Sequence, residues 1–174
     1  EFKDWKAIAF GDELREKILF NHKRFINMGY KSNKEVLKFL EKTSIAVACS
    51  RWDEPFGRSS LEASSRGCAV IISNKGGLPE TITDGIILKK LTVNDLYRNI
   101  KNLILNKKKL IDIQKKSYKN FYLENKLISS QIDKYRSYFF KDLKIKNENL
   151  KILHVTNFNL RHNGRLFYNT GRRI

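Results

Sequence analysis

Two short apolar runs, Ile45-Ala46-Val47-Ala48-Cys49 and Cys68-Ala69-Val70-Ile71-Ile72, bracket an acidic, glycine-bearing segment, Glu54-Pro55-Phe56-Gly57-Arg58-Ser59-Ser60-Leu61-Glu62. The order reads as strand, acidic loop, short helix, strand. Two strands joined through a helix lie parallel, and the loop between them sits at the mouth of the sheet, where ligands of open α/β folds bind. A second turn-rich segment, Gly76-Gly77-Leu78-Pro79-Glu80, follows the second run. This pattern commits the chain to an α/β fold with a parallel sheet flanked by helices.

The rest of the sequence extends the alternation. Trp5 to Phe10 reads as a strand, Glu13 to Phe20 as a helix and Arg24 to Met28 as a short strand. Ser32 followed by Glu35 forms a capping box for a helix over Asn33 to Lys42, with Val36, Leu37, Phe39 and Leu40 on its buried side. Strands are expected over 44–49, 69–72 and 86–88, a helix over 58–66 and a helical turn over 79–83. Thr92 or Asn94 opens a helical tail whose Leu96, Ile100, Leu103 and Ile104 share one face, with further helices over 107–121 and 124–141.

A chain of 174 residues has room for one good core, or for one domain and part of another. Residues 1–143 read as the first domain and 144–150 as a polar linker. Residues 151–174 read as the start of a second α/β domain: a strand from Lys151 to Thr156, a glycine-bearing loop to Gly164, then a helix. The alternative is that the strand at 151–156 pairs back onto the first sheet. Methionine occurs only at position 28, so residue 1 is not expected to be a translation start.

The 41% hydrophobic content suits a globular protein, and no apolar run approaches the roughly 18 residues of a membrane span. The start, Glu1-Phe2-Lys3-Asp4-Trp5, lacks the basic head and apolar core of a signal peptide. Cys49 and Cys68 at the edges of apolar strands read as small buried hydrophobes, in keeping with a cytoplasmic setting. The formal charge of +17 invites a nucleic-acid reading. Lysines are spread along the whole chain, however, and outnumber arginines. Composition bias together with attraction to anionic ligands accounts for this better, with peripheral membrane contact second and nucleic acid last.

The central motif suggests its own chemistry. Glycine at position 57 lets a ligand approach the backbone. The amides that open the following helix are unpaired donors suited to a diphosphate. Glu62, one turn inside, can accept hydrogen bonds from vicinal hydroxyls, and Glu54 reaches another part of the same ligand. The plain alternative is an Arg58–Glu62 ion pair at i,i+4, with Glu54 merely solvated.

At these residues the chain resembles the retaining GT-B glycosyltransferases of family 4, in their C-terminal, donor-binding half. The motifs are Glu54-Pro55-Phe56-Gly57, the seven residues that separate Glu54 from Glu62, Glu62-Ala63, Gly67-Cys68-Ala69-Val70, and Gly76-Gly77-Leu78-Pro79-Glu80. The resemblance spans roughly residues 5 to 140 and implies a truncated, Rossmann-like half of a GT-B fold. It implies that Glu54 acts at the anomeric centre and that Phe56 and Gly57 line the sugar pocket. Ser60 and Leu61 would give amides to the diphosphate, Glu62 would hold the ribose, and Gly76, Gly77 and Glu80 would shape the back of the pocket.

The implied partners are a nucleoside-diphosphate sugar and a glycan or lipid-linked acceptor, as in bacterial surface polysaccharide assembly at the inner face of the membrane. No cofactor and no metal are expected, in line with the lack of an Asp-x-Asp triplet. The family's diphosphate-binding Arg and Lys would precede Glu1, so neither Arg51 nor Lys75 is given that role. The segment from Lys151 to Gly164 resembles the opening of a GT-B N-terminal half, with Asn163-Gly164 in place of a Gly-Gly pair. A tandem glycosyltransferase is the implied parent, and this piece is expected to show no turnover alone. The competing readings are another GT-B enzyme, such as a sugar-nucleotide epimerase, and a non-catalytic basic module that binds membrane or nucleic acid.

Overall fold

The structure is a computed structural model that describes residues 1–11, 20–139, 160–162 and 165–167. In the first unit, Glu1–Gln131, strands β1 (Ala7–Ala9) and β2 (Phe25–Asn27) pair in parallel, with Ile8 opposite Ile26. A second parallel sheet holds β3 (Ile45–Ala48), β4 (Ala69–Ser73) and β5 (Ile86–Leu88), with β4 central. The helix expected over 13–20 falls largely on residues outside those described.

Alternation along β4 builds the core. All five of its residues are buried, as a central strand covered on both faces requires. Val70 and Ile72 face one way, against Ala63 and Leu78, with Leu40 packed beside them. These partners come from α1 (Asn33–Leu40), α2 (Arg58–Ser65) and a 3-10 turn over Leu78–Thr81. Ala69 and Ile71 face the other way, against Leu103 and Leu110 of α3 (Val93–Leu105) and α4 (Lys107–Lys119). Truncating a side chain such as Ile72 to Ala costs about 2–5 kcal/mol in a site of this kind.

The start signals act as the sequence predicts. Ser32 caps α1 through the Glu35 amide while the Glu35 side chain reaches back to Ser32, which holds the Glu35 carboxyl below its ordinary range. Thr92 caps α3 through the Asp95 amide. One expectation needs correcting: Val36, Leu37, Phe39 and Leu40 are half-buried, and α1 holds no fully buried residue. Its apolar side divides between the core, against which Leu40 packs, and a cavity whose lining includes Val36 and Leu40.

A helix, α5 (Asn125–Phe139), follows α4. In the second unit, Ile132–Ile174, β6 (Leu160–His162) and β7 (Arg165–Phe167) pair antiparallel, with His162 opposite Arg165. These residues were expected to be a loop leading into a helix. Runs this short carry no helix-specific period, so the strand pairing decides them. The strand expected over 151–156 lies outside the described residues.

Candidate functional site

The site is built where β3 and β4 end. The chain leaves β3 at Ala48, runs through the acidic loop and turns into α2 at Gly57, whose φ is +84°. Only glycine takes that conformation cheaply, and a Cβ there would lie 2.6 Å from Leu78 Cδ2. A glycine carries no side chain to cap the helix, and α2 has no side-chain cap. The Leu61 amide donates to the Gly57 carbonyl at 3.2 Å, the first bond of the helix. The amides that precede it, of Arg58, Ser59 and Ser60, therefore have no intrahelical acceptor. This corrects the role given to Leu61, whose amide is engaged within the helix; the open donors lie one residue and more earlier.

Ser60 does two jobs. Its amide belongs to the open set, while its fully buried hydroxyl lies 2.7 Å from the Gly57 carbonyl and 2.6 Å from the Thr81 hydroxyl. Thr81 in turn lies 2.7 Å from the Leu78 carbonyl. This chain of contacts ties the start of α2 to the 3-10 turn and fixes the direction in which the open amides point.

The acidic loop is held from behind by the two glycines after β4. The Gly77 amide donates to the Glu54 carbonyl at 2.7 Å, and Gly76, with φ of +52°, lies against the backbone of Asp53 and Glu54. Glu54 is half-buried and borders the cavity, as do Phe56 and Gly57. Lys75 pairs with Asp53 at 3.9 Å; both are exposed, so the pair adds little stability.

Glu62 has two side-chain partners in the structure, one expected and one not. Its Oε1 lies 3.5 Å from Arg58 Nη2, so the plain i,i+4 pair forms. The same Oε1 accepts a shorter bond, 2.8 Å, from the side-chain amide of Asn33. Sequence reasoning missed Asn33, because a contact between residues 29 positions apart leaves no local signal.

The cavity measures about 1490 Å³, above the usual ligand-pocket range of about 300–1,000 Å³. Its lining includes Glu54, Phe56, Gly57, Arg58, Ser60 and Glu62, together with residues of β1 and β3. Five of the nine predicted site residues, Glu54, Phe56, Gly57, Ser60 and Glu62, thus border one space. Leu61, Gly76, Gly77 and Glu80 do not, and Glu80 is exposed on the 3-10 turn.

Burial raises the pKa of the Cys49 thiol and pushes that of the Cys68 thiol up to about 11. At neutral pH both stay protonated, which suits packing and not nucleophilic chemistry. Among the described residues no helix is long and apolar enough to cross a membrane.

A parallel sheet layered by helices, with an acid–glycine loop and an uncapped helix at its mouth, defines a Rossmann-like α/β domain. The solved structures agree. Anabaena Alr3699/HepE, crystallised with UDP and glucose, superposes with a TM-score of 0.65 at 22% identity, over 76% of this chain and 40% of that one. Its complex with UDP-glucose gives a TM-score of 0.64 over 76% and 41%. At this identity the likeness is one of fold. The family described as glycosyl transferases group 1 matches residues 3–120, and the chain belongs to that family.

Among curated proteins, Mycobacterium tuberculosis glycogen synthase is 35% identical over 83 residues, 48% of this chain and 18% of the relative. Spore coat protein SA of Bacillus subtilis is 36% identical over 52 residues, 30% of this chain and 14% of the relative. An uncharacterized 41.2 kDa protein in the cps region of Klebsiella pneumoniae is 25% identical over 114 residues, 63% of this chain and 32% of the relative. The chain thus spans a third or less of the length of these relatives.

Proposed function

We propose that this chain is the donor-binding part of a retaining glycosyltransferase of the family 4 type, which moves a sugar from a nucleoside diphosphate to a glycan or lipid-linked acceptor. The observation that carries the reading is the shared space bordered by Glu54, the open start of α2 and Glu62. In this reading the amides of Arg58, Ser59 and Ser60 face the diphosphate, where the positive end of the helix stabilises the charge of the leaving group. Glu62 accepts from the ribose hydroxyls. Phe56 and Gly57 line the sugar site. Glu54 lies beside the anomeric carbon and stabilises the positive charge that develops there.

Family membership supports the transfer chemistry, and the complexes of the Anabaena protein with UDP and glucose and with UDP-glucose support a nucleotide-sugar donor. The similarity to a glycogen synthase and to a cps-region protein supports a glycan acceptor. The Gly76-Gly77 pair backs the acidic loop instead of touching the donor. Leaving-group charge falls to helix amides and cationic side chains, without a metal or cofactor. The high positive charge favours approach of anionic donors and of a membrane surface.

Calorimetric titration with UDP, GDP and ADP, beside a Glu62→Ala variant, tests the reading. Saturable binding of one nucleotide, weakened about tenfold in the variant, is the expected result. A cooperatively folded chain that binds none of the three would contradict it.

A further inference from the structure

Glu62 opposes a residue on another helix that nothing in the motif predicts. Asn33 is the first residue of α1, and its side-chain amide donates to Glu62 Oε1 at 2.8 Å. We infer that Asn33 is a positioning residue for Glu62: it holds one carboxylate oxygen so that the other, Oε2, is presented to a pair of vicinal hydroxyls. This rests on the reading of Glu62 as the ribose ligand given above.

Both ends of the contact are anchored. The capping box of Ser32 and Glu35 fixes the start of α1, and it leaves the Asn33 side chain free of any capping duty. Gly57 and the Ser60–Thr81 contact fix the start of α2, from which Glu62 projects. An ionised carboxylate offers two acceptor oxygens. Here Oε1 receives Asn33 at 2.8 Å and Arg58 at 3.5 Å, while Oε2 takes no hydrogen bond among the described residues.

Of the two donors, Asn33 is the one able to set direction. The Arg58 side chain is 75% exposed and its contact is long, so water and salt weaken it. The Asn33 contact is short and comes from a separate element. It is also uncharged, so the carboxylate keeps its full charge for accepting hydroxyl protons; a lysine or arginine in that place would compete for it. An aspartate in that place would lose the donor and add a like charge facing Glu62.

The test compares ribose discrimination. The chain and its Asn33→Ala, Asn33→Asp and Glu62→Ala variants are titrated with UDP, GDP and ADP and with their 2′,3′-dideoxy counterparts. The wild type is expected to prefer a ribose nucleotide over its dideoxy form. Asn33→Ala should shrink that preference by about three- to tenfold, Asn33→Asp by more, with thermal melts unchanged. In the Glu62→Ala background, Asn33→Ala should do nothing further.

A preference that survives Asn33→Ala, or an equal loss for both forms of the nucleotide, overturns the inference and leaves the donor site standing. Absence of binding by the folded wild type overturns the donor site and the inference together.

Discussion

The amide of Gly77 donates to the carbonyl of Glu54 at 2.7 Å, so the loop after β4 holds the backbone of the loop after β3. Gly76, beside it, has a positive φ of 52°, and a Cβ there would overlap the backbone O and N of Glu54. A side chain at position 76 must push the acidic loop away. Gly76→Ala is therefore expected to destabilise the chain by at least about 2 kcal/mol, from strain and overlap together. Urea unfolding checks this, and a variant of unchanged midpoint would show that the two loops are not in backbone contact.

Ser60 and Thr81 form the other brace. Two hydroxyl protons serve the contacts with each other and with the carbonyls of Gly57 and Leu78, all in a fully buried setting. Thr81→Val removes one proton and one acceptor and leaves Ser60 facing a methyl group. The expected cost is about 1–3 kcal/mol, read from the urea midpoint. Ser60→Ala and Thr81→Val combined should cost less than their sum, since the second change removes a partner already lost.

Cys68 gives the stability curve an alkaline limb. Burial raises its pKa from an ordinary value of 9.0 to about 11, so the folded state keeps a proton that the unfolded state releases. The contribution of the buried thiol to stability is complete below pH 9.0 and is lost as pH rises from there through about 11. Each tenfold difference in proton affinity between the two states is worth about 1.4 kcal/mol, so the loss across that window reaches about 2–3 kcal/mol. Urea unfolding of the chain and of Cys68→Ala across this window should show the difference between them narrowing as pH rises. A constant difference would contradict the assignment.

Much of the fold was legible because its signals are local. The Ser32–Glu35 capping box, the Thr92 cap and the alternation along β4 each lie within a few residues, and each element appears close to its predicted position. Gly57 and the paired glutamates marked the site for the same reason. The remainder depends on contacts distant in sequence. Asn33 reaches Glu62, Ser64 meets Ser117 at 3.1 Å, and Gly77 reaches Glu54; none of these has a periodic or compositional trace. The engagement of the Leu61 amide could have been read in advance, since a helix that opens after Gly57 closes its first bond at that residue.

The division into two sheets was not legible either, and it has a measurable consequence. Ala7 donates to Arg24 and Ala9 accepts from Met28, so these residues of β1 face β2. In a parallel ladder alternate residues face opposite sides, so the N–H and C=O of Ile8 point away from β2. Ser44 accepts from Ala69, which by the same alternation turns Val47 of β3 away from β4. Both residues border the cavity, and their side chains are exposed. The amides of Ile8 and Val47 are expected to exchange with solvent far faster than that of Ile71 in the central strand. Equal protection at Val47 and Ile71 would mean that the edge of β3 is covered.

The open amides at the start of α2 are the centre of the proposed donor site. The most direct measurement is the amide NMR spectrum of the ¹⁵N-labelled chain during addition of UDP, GDP or ADP in turn. One of the nucleotides is predicted to shift the Arg58, Ser59 and Ser60 resonances most, with smaller changes at Glu62. Shifts confined to the lysine-rich face of α4, or spread evenly over the basic surface, would contradict a diphosphate site at this helix.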